Sequence, residues 1–312
     1  MSAKATDRGS AVGEGRGGRA GDARLNRGGH IPYSAGGPPL HGGRYAVTVL
    51  VLMAVVAGAS FLLRFVGRNR PGISAAASAT ASGTLDRLPK IMLWAWERPE
   101  DLSFIDSDEI GVAFLAKTIY LNGGRVEARP RLQPLSVPES TALVAVVRIE
   151  SGSGPAATTP TPDQITGIAE QVTELAHQAR KVSAIQIDFD ARKSERDFYR
   201  ALLQEVRKRL PAELPLSITA LASWCIYDDW IGDLPVDEAV PMLFRMGVDD
   251  RQVRLHLEAG GEFQPRISQG SLGVSTDEPL AGLPAGKRLY VFSPKKWSEE
   301  AVREIEREYG TL

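Results

Sequence analysis

Short apolar segments alternate with longer amphipathic segments over the last two thirds of this 312-residue chain. This alternation restricts the possible folds more than any other feature of the sequence. Runs that are apolar on both faces are typical of parallel strands buried beneath helices. The pattern predicts eight strands, at Ile91–Trp96, Gly111–Leu115, Ala142–Glu150, Ala184–Asp190, Leu216–Leu221, Ala239–Met246, Ser271–Ser275 and Arg288–Pro294. Eight strands in about 225 residues predict an α/β fold, a (β/α)8 TIM-type barrel, with an open doubly wound sheet as the alternative.

The segments between these strands carry helix and hairpin signals. Apolar residues three and four apart predict a helix over Thr161–Lys181. Further helices are predicted at Pro99–Ile105, Glu195–Leu210 and Ser298–Tyr309. After the second strand, Asn122-Gly123 supplies residues that tolerate positive φ, which predicts a β-hairpin.

Residues 1–44 are predicted to be a disordered tail. They hold 12 of the 31 glycines, and their few apolar residues are too scattered to form a core. Seven Lys/Arg against three Asp/Glu make this tail basic. Its arginines are spread among glycines, which favours solvated charge that sets membrane topology over a dense patch for lipid or nucleic acid.

Nineteen uncharged residues, Tyr45–Leu63, lie between Arg44 and Arg64. As a helix they extend roughly 28 Å, close to the thickness of a bilayer core, which predicts one transmembrane helix. The alternatives are a buried helix of a soluble domain and a cleaved signal peptide. Arginines at both ends disfavour the first, and the long leading segment disfavours the second.

The span divides the chain into an anchor and an exported domain. Equal numbers of arginines lie close to the two ends of the span, so they do not set its orientation. The basic tail as a whole favours an N-terminus on the cytoplasmic side. We therefore expect a single-pass protein of the inner (cytoplasmic) membrane, whose C-terminal domain is periplasmic or extracellular. Residues 64–87 are small and polar and are predicted to be a flexible linker, so the barrel should comprise residues 88–312.

Composition excludes several classes of function. Near-equal charges, 37 Lys+Arg and 38 Asp+Glu, give no reason to expect a nucleic-acid partner. No G-x-G-x-x-G motif follows a predicted strand and no P-loop occurs, so no cofactor is expected. No metal site is expected either, because His177 and His256 have no partner at zinc spacing. The single cysteine, Cys225, lies among apolar residues and is interpreted as a buried, inert thiol.

In a TIM-type barrel, chemistry occurs at the carboxyl ends of the strands. The fourth strand ends in Asp188 and Asp190, which are two residues apart and so share one face. Two neighbouring carboxylates do not ionise equally, and the pair can supply a proton donor beside an anion, as glycosidic cleavage requires. The alternative is structural, with one aspartate capping a helix and the other pairing with Arg192 or Lys193.

Other strand ends supply further candidates. Glu97 and Asp228 are secondary catalytic candidates. Lys117 follows the second predicted strand, and Arg148 and Glu150 end the third. Aromatic rings with polar edges suit the C–H faces of sugars, although buried packing is the commoner fate of tryptophan. The candidates for substrate binding are Trp96, Trp224, Tyr227, Trp230 and Arg245.

The run A-I-Q-I-D-F-D (184–190) is distantly similar to the strand-four motif of chitinase-type glycoside hydrolases, G-[IVF]-D-[LIV]-D-x-E. On that alignment Asp188 occupies the second aspartate and Asp190 the position of the catalytic glutamate. Gln186 replaces the first aspartate, and Asp190 is one methylene shorter than the family's proton donor.

From about Pro89 to Tyr309, the chain also resembles an uncharacterised bacterial family of predicted barrel domains. The match lies in L-W-A-W-E-R-P-E-D-L (93–102), I-D-F-D-A (187–191), S-I-T-A-L-A-S-W-C (217–225) and V-P-M-L-F-R-M-G (240–247). The resemblances imply a barrel related to sugar hydrolases. The first hypothesis is a membrane-anchored glycosidase acting on a cell-envelope or exported polysaccharide, and the second is an inactive barrel that binds glycan or serves as an envelope scaffold.

Overall fold

A computed structural model describes residues 84–152, 160–179, 181–280 and 282–310. The predicted tail, the predicted span Tyr45–Leu63 and most of the predicted linker lie outside these residues. Within the described part of the chain, no helix combines the length and apolarity that a membrane crossing needs. Leu88, where the predicted domain begins, is buried, and so is Leu85, three residues earlier.

All eight predicted strands are present. Their bounds are β1 Ile91–Ala95, β2 Ile110–Asn122, β3 Leu143–Glu150, β4 Val182–Asp188, β5 Leu216–Leu221, β6 Glu238–Met242, β7 Ser271–Ser275 and β8 Arg288–Phe292. Each is parallel to its neighbours, and β1 pairs with both β2 and β8. The sheet therefore closes into an eight-stranded parallel barrel, consistent with the TIM type, and the open sheet is excluded.

Five α-helices occur among the described residues, at α1 Pro162–Gln178, α2 Arg196–Arg209, α3 Ala222–Ile226, α4 Asp250–Glu258 and α5 Glu299–Tyr309. The long predicted helices are confirmed as α1, α2 and α5. Buried residues of α1, Ile168 and Val172, and of α2, Leu202 and Val206, belong to the apolar layer around the barrel. Amphipathic spacing thus positions these helices against the strands.

The predicted helix Pro99–Ile105 is wrong. Residues Glu100–Asp101 instead form a short parallel strand with Leu135–Ser136. Leu102 and Ile105 are buried and three residues apart, which imitates a helical stripe. The backbone N–H of Leu102, however, donates to the carbonyl oxygen of Ser136 at 2.8 Å.

The predicted hairpin is confirmed, with a turn shifted by one residue. Strand β2 pairs antiparallel with Arg125–Pro130, and Asn122 is opposite Arg125. The two turn residues are therefore Gly123 and Gly124, with φ of 54° and 85°. Both angles lie in the left-handed region, where glycine avoids the steric cost of a Cβ atom.

A β-bulge in β2 decides which of its side chains face the barrel interior. The pairing with β3 shifts by one residue between Leu115 and Lys117. Lys117 consequently points outward, and its Nζ donates to Oε1 of Gln171 on α1 at 2.8 Å. Thr118 and Tyr120 take the inward positions instead, because the extra residue reverses the alternation of side chains.

The barrel interior contains a continuous polar chain. Trp94 Nε1 donates to Gln186 Oε1 at 3.3 Å, and Gln186 Nε2 donates to Ser217 Oγ at 3.1 Å. Ser217 Oγ donates to Glu238 Oε2 at 2.8 Å. Glu238 is also paired with Arg288 Nη1 at 3.0 Å, so the buried carboxylate and guanidinium compensate each other.

Candidate active site

A cleft of about 430 Å³ opens at the carboxyl ends of the strands. It is larger than a solvent gap and within the range of small-ligand sites. One side is acidic and comes from β3 and β4, while the other is aromatic and comes from β1, β6 and β8. Buried Trp94 lies among the lining residues and connects the cleft to the interior polar chain.

On the acidic side of the cleft, the carboxylate of Asp188 is fixed by burial and by two hydrogen bonds. Asp188 is 8% exposed. Its Oδ1 accepts a hydrogen bond from Thr219 Oγ1 at 2.7 Å, and its Oδ2 accepts one from Arg148 Nη1 at 3.0 Å. Arg148 also donates from Nε to Glu150 Oε1 at 2.9 Å, so it joins two carboxylates. Thr219 and Arg148 therefore fix the position of the Asp188 carboxylate.

Asp190 has a different environment. It lines the same cleft but is solvent exposed, and no hydrogen bond or ion pair of its carboxyl group occurs within the described residues. The protein on its inner side removes part of its hydration, and the charge of Asp188 adds repulsion. Together these raise the pKa of Asp190, against an opposing effect of Arg148. The two aspartates therefore differ in their contacts, because Asp188 is paired and Asp190 is unpaired among the described residues.

The raised pKa predicts that Asp190→Asn stabilises the fold at neutral pH. The folded state binds the proton more readily than the unfolded state, so ionisation of Asp190 costs stability as pH rises through the raised pKa. The gain in unfolding free energy should shrink as pH falls through that range. Urea unfolding across a pH series measures it, and a variant less stable than the parent at neutral pH would contradict the assignment.

Three aromatic rings form the opposite wall. Phe244 and Phe292 stack with ring centroids 5.5 Å apart, and Trp96 meets Phe292 edge to face at 6.2 Å. The Arg148 guanidinium lies 5.4 Å from the centroid of Trp96 and so links the aromatic wall to the acidic side. This wall presents flat apolar faces with cations near them, a surface that suits an amphipathic ring.

Two arginines fix the loop that carries Trp96 and Glu97. Arg131 donates to the carbonyl oxygens of Ala95, Trp96 and Arg98. Arg98 in turn donates to the carbonyls of three residues after β8, Ser293, Pro294 and Lys295. Glu97 remains exposed at the mouth, where its Oε1 lies 3.9 Å from Nε of Arg129.

Arg245 lies at the edge of the cleft in an unusual backbone conformation. Its φ is 53°, which is strained for a residue other than glycine. Glu278 accepts its backbone N–H at 2.9 Å, and Asp277 accepts from Nη2 at 3.1 Å. The guanidinium lies 5.2 Å from the centroid of Phe292. These contacts hold the side chain across the aromatic wall.

Four predicted site residues lie away from the cleft. The chain after β5 turns into α3, which buries Trp224 at 5% exposure. Trp230 packs on Trp224 with centroids 4.9 Å apart. Asp228 pairs with Arg196 at 2.5 Å, and Tyr227 donates its hydroxyl to the carbonyl of Gln252. The sequence predicts that the segment after Leu221 lies at the carboxyl end of the strand, beside the cleft, and helix α3 redirects all four residues.

The structure adds cleft residues that the candidate set did not include. They are Trp94, Thr118, Tyr120, Thr219, Phe244 and Phe292, together with apolar Leu115, Val146, Leu221 and Met242. Arg148 and Glu150 also line the cleft, as their place at the end of a predicted strand indicates. Phe244 and Phe292 end apolar runs that look like core. Thr118 and Tyr120 depend on the bulge, for which the sequence carries no recognised signal.

The described residues contain no group of three His, Cys, Asp or Glu side chains suited to a metal ion. Burial raises the pKa of Cys225 to about 12, so its thiol stays protonated at neutral pH. The polar side chains that line the cleft are carboxylates, guanidinium groups and the hydroxyl groups of Thr118, Tyr120 and Thr219, with the indoles of Trp94 and Trp96.

Residues 139–240 match the domain of unknown function DUF3142. This confirms the predicted resemblance to an uncharacterised family. No curated protein is significantly similar to the sequence.

Solved structures with a similar fold are chitinase-type barrels. A putative chitinase A from Streptomyces coelicolor is 11% identical, with a TM-score of 0.46 over 71% of this chain and 98% of that one. A family GH18 chitinase domain from the fern Peteris ryukyuensis is 12% identical, with a TM-score of 0.44 over 70% and 98%. The chitinase domain of the spore coat protein CotE from Clostridium difficile is 14% identical, with a TM-score of 0.38 over 72% of each chain.

Proposed function

We propose that the barrel is a glycoside hydrolase in which Asp190 is the general acid and Asp188 is the carboxylate that orients it or stabilises positive charge on the sugar. One observation carries the proposal. The two carboxylates share a cleft, but Asp188 is fixed by Arg148 and Thr219 whereas Asp190 is unpaired among the described residues and has a raised pKa. Glycosidic cleavage uses such a pair, because a proton must reach the leaving oxygen while positive charge develops on the sugar ring.

The aromatic wall supports a sugar as the substrate. The rings of Trp96, Phe244 and Phe292 face a cleft whose other side carries hydrogen-bonding groups. A pyranose ring has an apolar C–H face and polar edges, so it can contact both sides at once. Glu97 and Arg245 at the mouth are assigned secondary contacts to substrate.

New reducing ends test the proposal. The full chain is incubated with defined fragments of chitin, peptidoglycan and exopolysaccharide, and reducing ends are counted over time. Asp190→Asn is the matched control, because it removes the acid and keeps the volume of the side chain. Cleavage by the parent that is lost in the variant supports a hydrolase. If no fragment of the panel is bound or cleaved, the proposal is contradicted.

A second function, a glycan-binding barrel without catalysis, is favoured by one specific observation. Asp188 is already engaged by Arg148, and Asp190 is an aspartate with short reach. Binding of a fragment by both parent and Asp190→Asn, with no new reducing ends, would select this function over hydrolysis.

Membrane anchoring is part of the proposal. The uncharged segment Tyr45–Leu63 and the basic residues before it support a single span with the N-terminus inside. The barrel would then act outside the cytoplasm on an envelope or exported polysaccharide. Alkaline carbonate extraction of membranes should leave the chain in the pellet, and protease added to spheroplasts should digest the barrel. Release into the supernatant would contradict the anchor.

A further inference from the structure

The charges that line the cleft are unequal. Four carboxylates face it, from Glu97, Glu150, Asp188 and Asp190, against two guanidinium groups, from Arg148 and Arg245. The cavity and its aromatic wall define the site. The sign of the surplus charge then limits which ligand can enter.

Neither guanidinium is left to bind an anion. Arg148 already contacts Glu150 and Asp188 at 2.9 and 3.0 Å. Arg245 contacts Asp277 and Glu278 at 3.1 and 3.7 Å, and these two carboxylates lie beside the cleft. Both cations are therefore compensated by protein carboxylates before any ligand arrives.

The uncompensated carboxylates lie at the mouth. Asp190 forms no ion pair within the described residues and feels Arg148 only from a distance. The one ion pair of Glu97 there is the 3.9 Å contact with Arg129, which is largely exposed, although Arg131 also attracts Glu97 from farther away. The apolar wall of Trp96, Phe244 and Phe292 lowers the local dielectric and strengthens the field of these charges inside the cleft. The field is therefore negative where a ligand would bind.

We propose that the cleft selects a glycan that carries protonated primary amino groups, such as de-N-acetylated hexosamine units. The ring of such a unit meets the aromatic wall, and its ammonium group meets the carboxylate of Glu97. A polysaccharide bearing carboxylates or phosphates would be repelled. This inference rests on the proposed glycan site and names its substrate class.

Two tetrasaccharides of the same linkage test the inference, a β-1,4-linked glucosamine tetramer and its fully N-acetylated form. Stopped-flow tryptophan fluorescence reads binding to the full chain before turnover. The amino form should bind about tenfold more tightly at low ionic strength, and 1 M salt should remove most of the difference. The preference should also disappear above the pKa of the sugar amine, where the ligand is neutral and the carboxylates remain ionised.

Variants identify the carboxylate responsible. Glu97→Gln should weaken binding of the amino form about threefold to fivefold, and it should weaken binding of the acetylated form by a clearly smaller factor. Glu304→Gln on α5, an exposed glutamate outside the cleft lining, should change neither. An equal effect of Glu97→Gln on both ligands would overturn the inference.

The remaining outcomes distinguish a failure of the amine selectivity from a failure of the proposed glycan site. If the acetylated tetramer binds as tightly as the amino form or more tightly, the amine selectivity is wrong and the glycan site stands. If neither binds, both are overturned. Tetralysine should not compete with the amino tetramer, and competition at equal concentration would show charge recognition without a sugar site.

Discussion

Asp190→Asn should lower kcat for glycan cleavage by about 10²–10⁴-fold and leave KM nearly unchanged. Asparagine keeps the shape of the side chain but cannot donate a proton to the leaving oxygen. The loss therefore appears in the transition state and not in ground-state binding. Initial rates of reducing-end formation with a substrate that the parent cleaves measure both constants.

The pH profile makes this expectation specific. Because the pKa of Asp190 is raised, the parent should keep a protonated acid to higher pH than an ordinary aspartate allows. Its kcat should fall as pH rises through that pKa, and the variant should lack this limb. Asp229→Asn, at an exposed aspartate outside the cleft lining, is the control. A variant that keeps the limb would show that another group is the acid.

Glu238→Ala should destabilise the fold by about 3–5 kcal/mol, the usual cost of leaving one member of a buried ion pair uncompensated. Arg288 would lose its charged partner, and the hydroxyl groups of Tyr290 and Ser217 would lose the acceptor they reach at 2.9 and 2.8 Å. Urea unfolding followed by circular dichroism measures the change in free energy.

An exposed ion pair provides the comparison. Glu139 pairs with Lys181 at 2.9 Å, but both side chains are largely exposed. Glu139→Ala should leave the unfolding midpoint close to that of the parent, because water already solvates both charges. The double variant Glu238→Ala with Arg288→Ala should cost less than the two single changes together, since it removes both charges. Additive costs would mean that the pair is not coupled.

The barrel was predictable because burial on both faces leaves a continuous apolar signal. Ile91–Ala95 and Leu216–Leu221 read as strands on that basis and are strands. The spacing of apolar residues was less informative where contacts with distant parts of the chain determine the secondary structure. The segment after Pro99 has helical spacing but pairs with Leu135–Ser136, a partner more than thirty residues away in the sequence.

The site was predictable on its acidic side and less so elsewhere. Asp188 and Asp190 share the cleft because side chains two apart at a strand end point the same way. This alternation of side chains between the two faces of a strand ends after Leu221, where α3 begins. It is also interrupted at the bulge before Lys117. Trp224 is consequently buried, and Tyr120 enters the cleft. A single helical turn or one extra residue changes the facing side chain, and neither has a distinct sequence signal.

Gln186 fixes the direction in which the hydrogen bonds of the barrel interior run from donor to acceptor. An amide can accept from Trp94 with its oxygen and donate to Ser217 with its nitrogen, and the structure uses both. A carboxylate at this position could accept from Trp94 but could not supply the proton that Ser217 receives. It would also place a second negative charge in the same interior as Glu238. The side chain that departs from the chitinase pattern therefore aligns every donor from the indole at the cleft toward a single anion at the far end of the barrel.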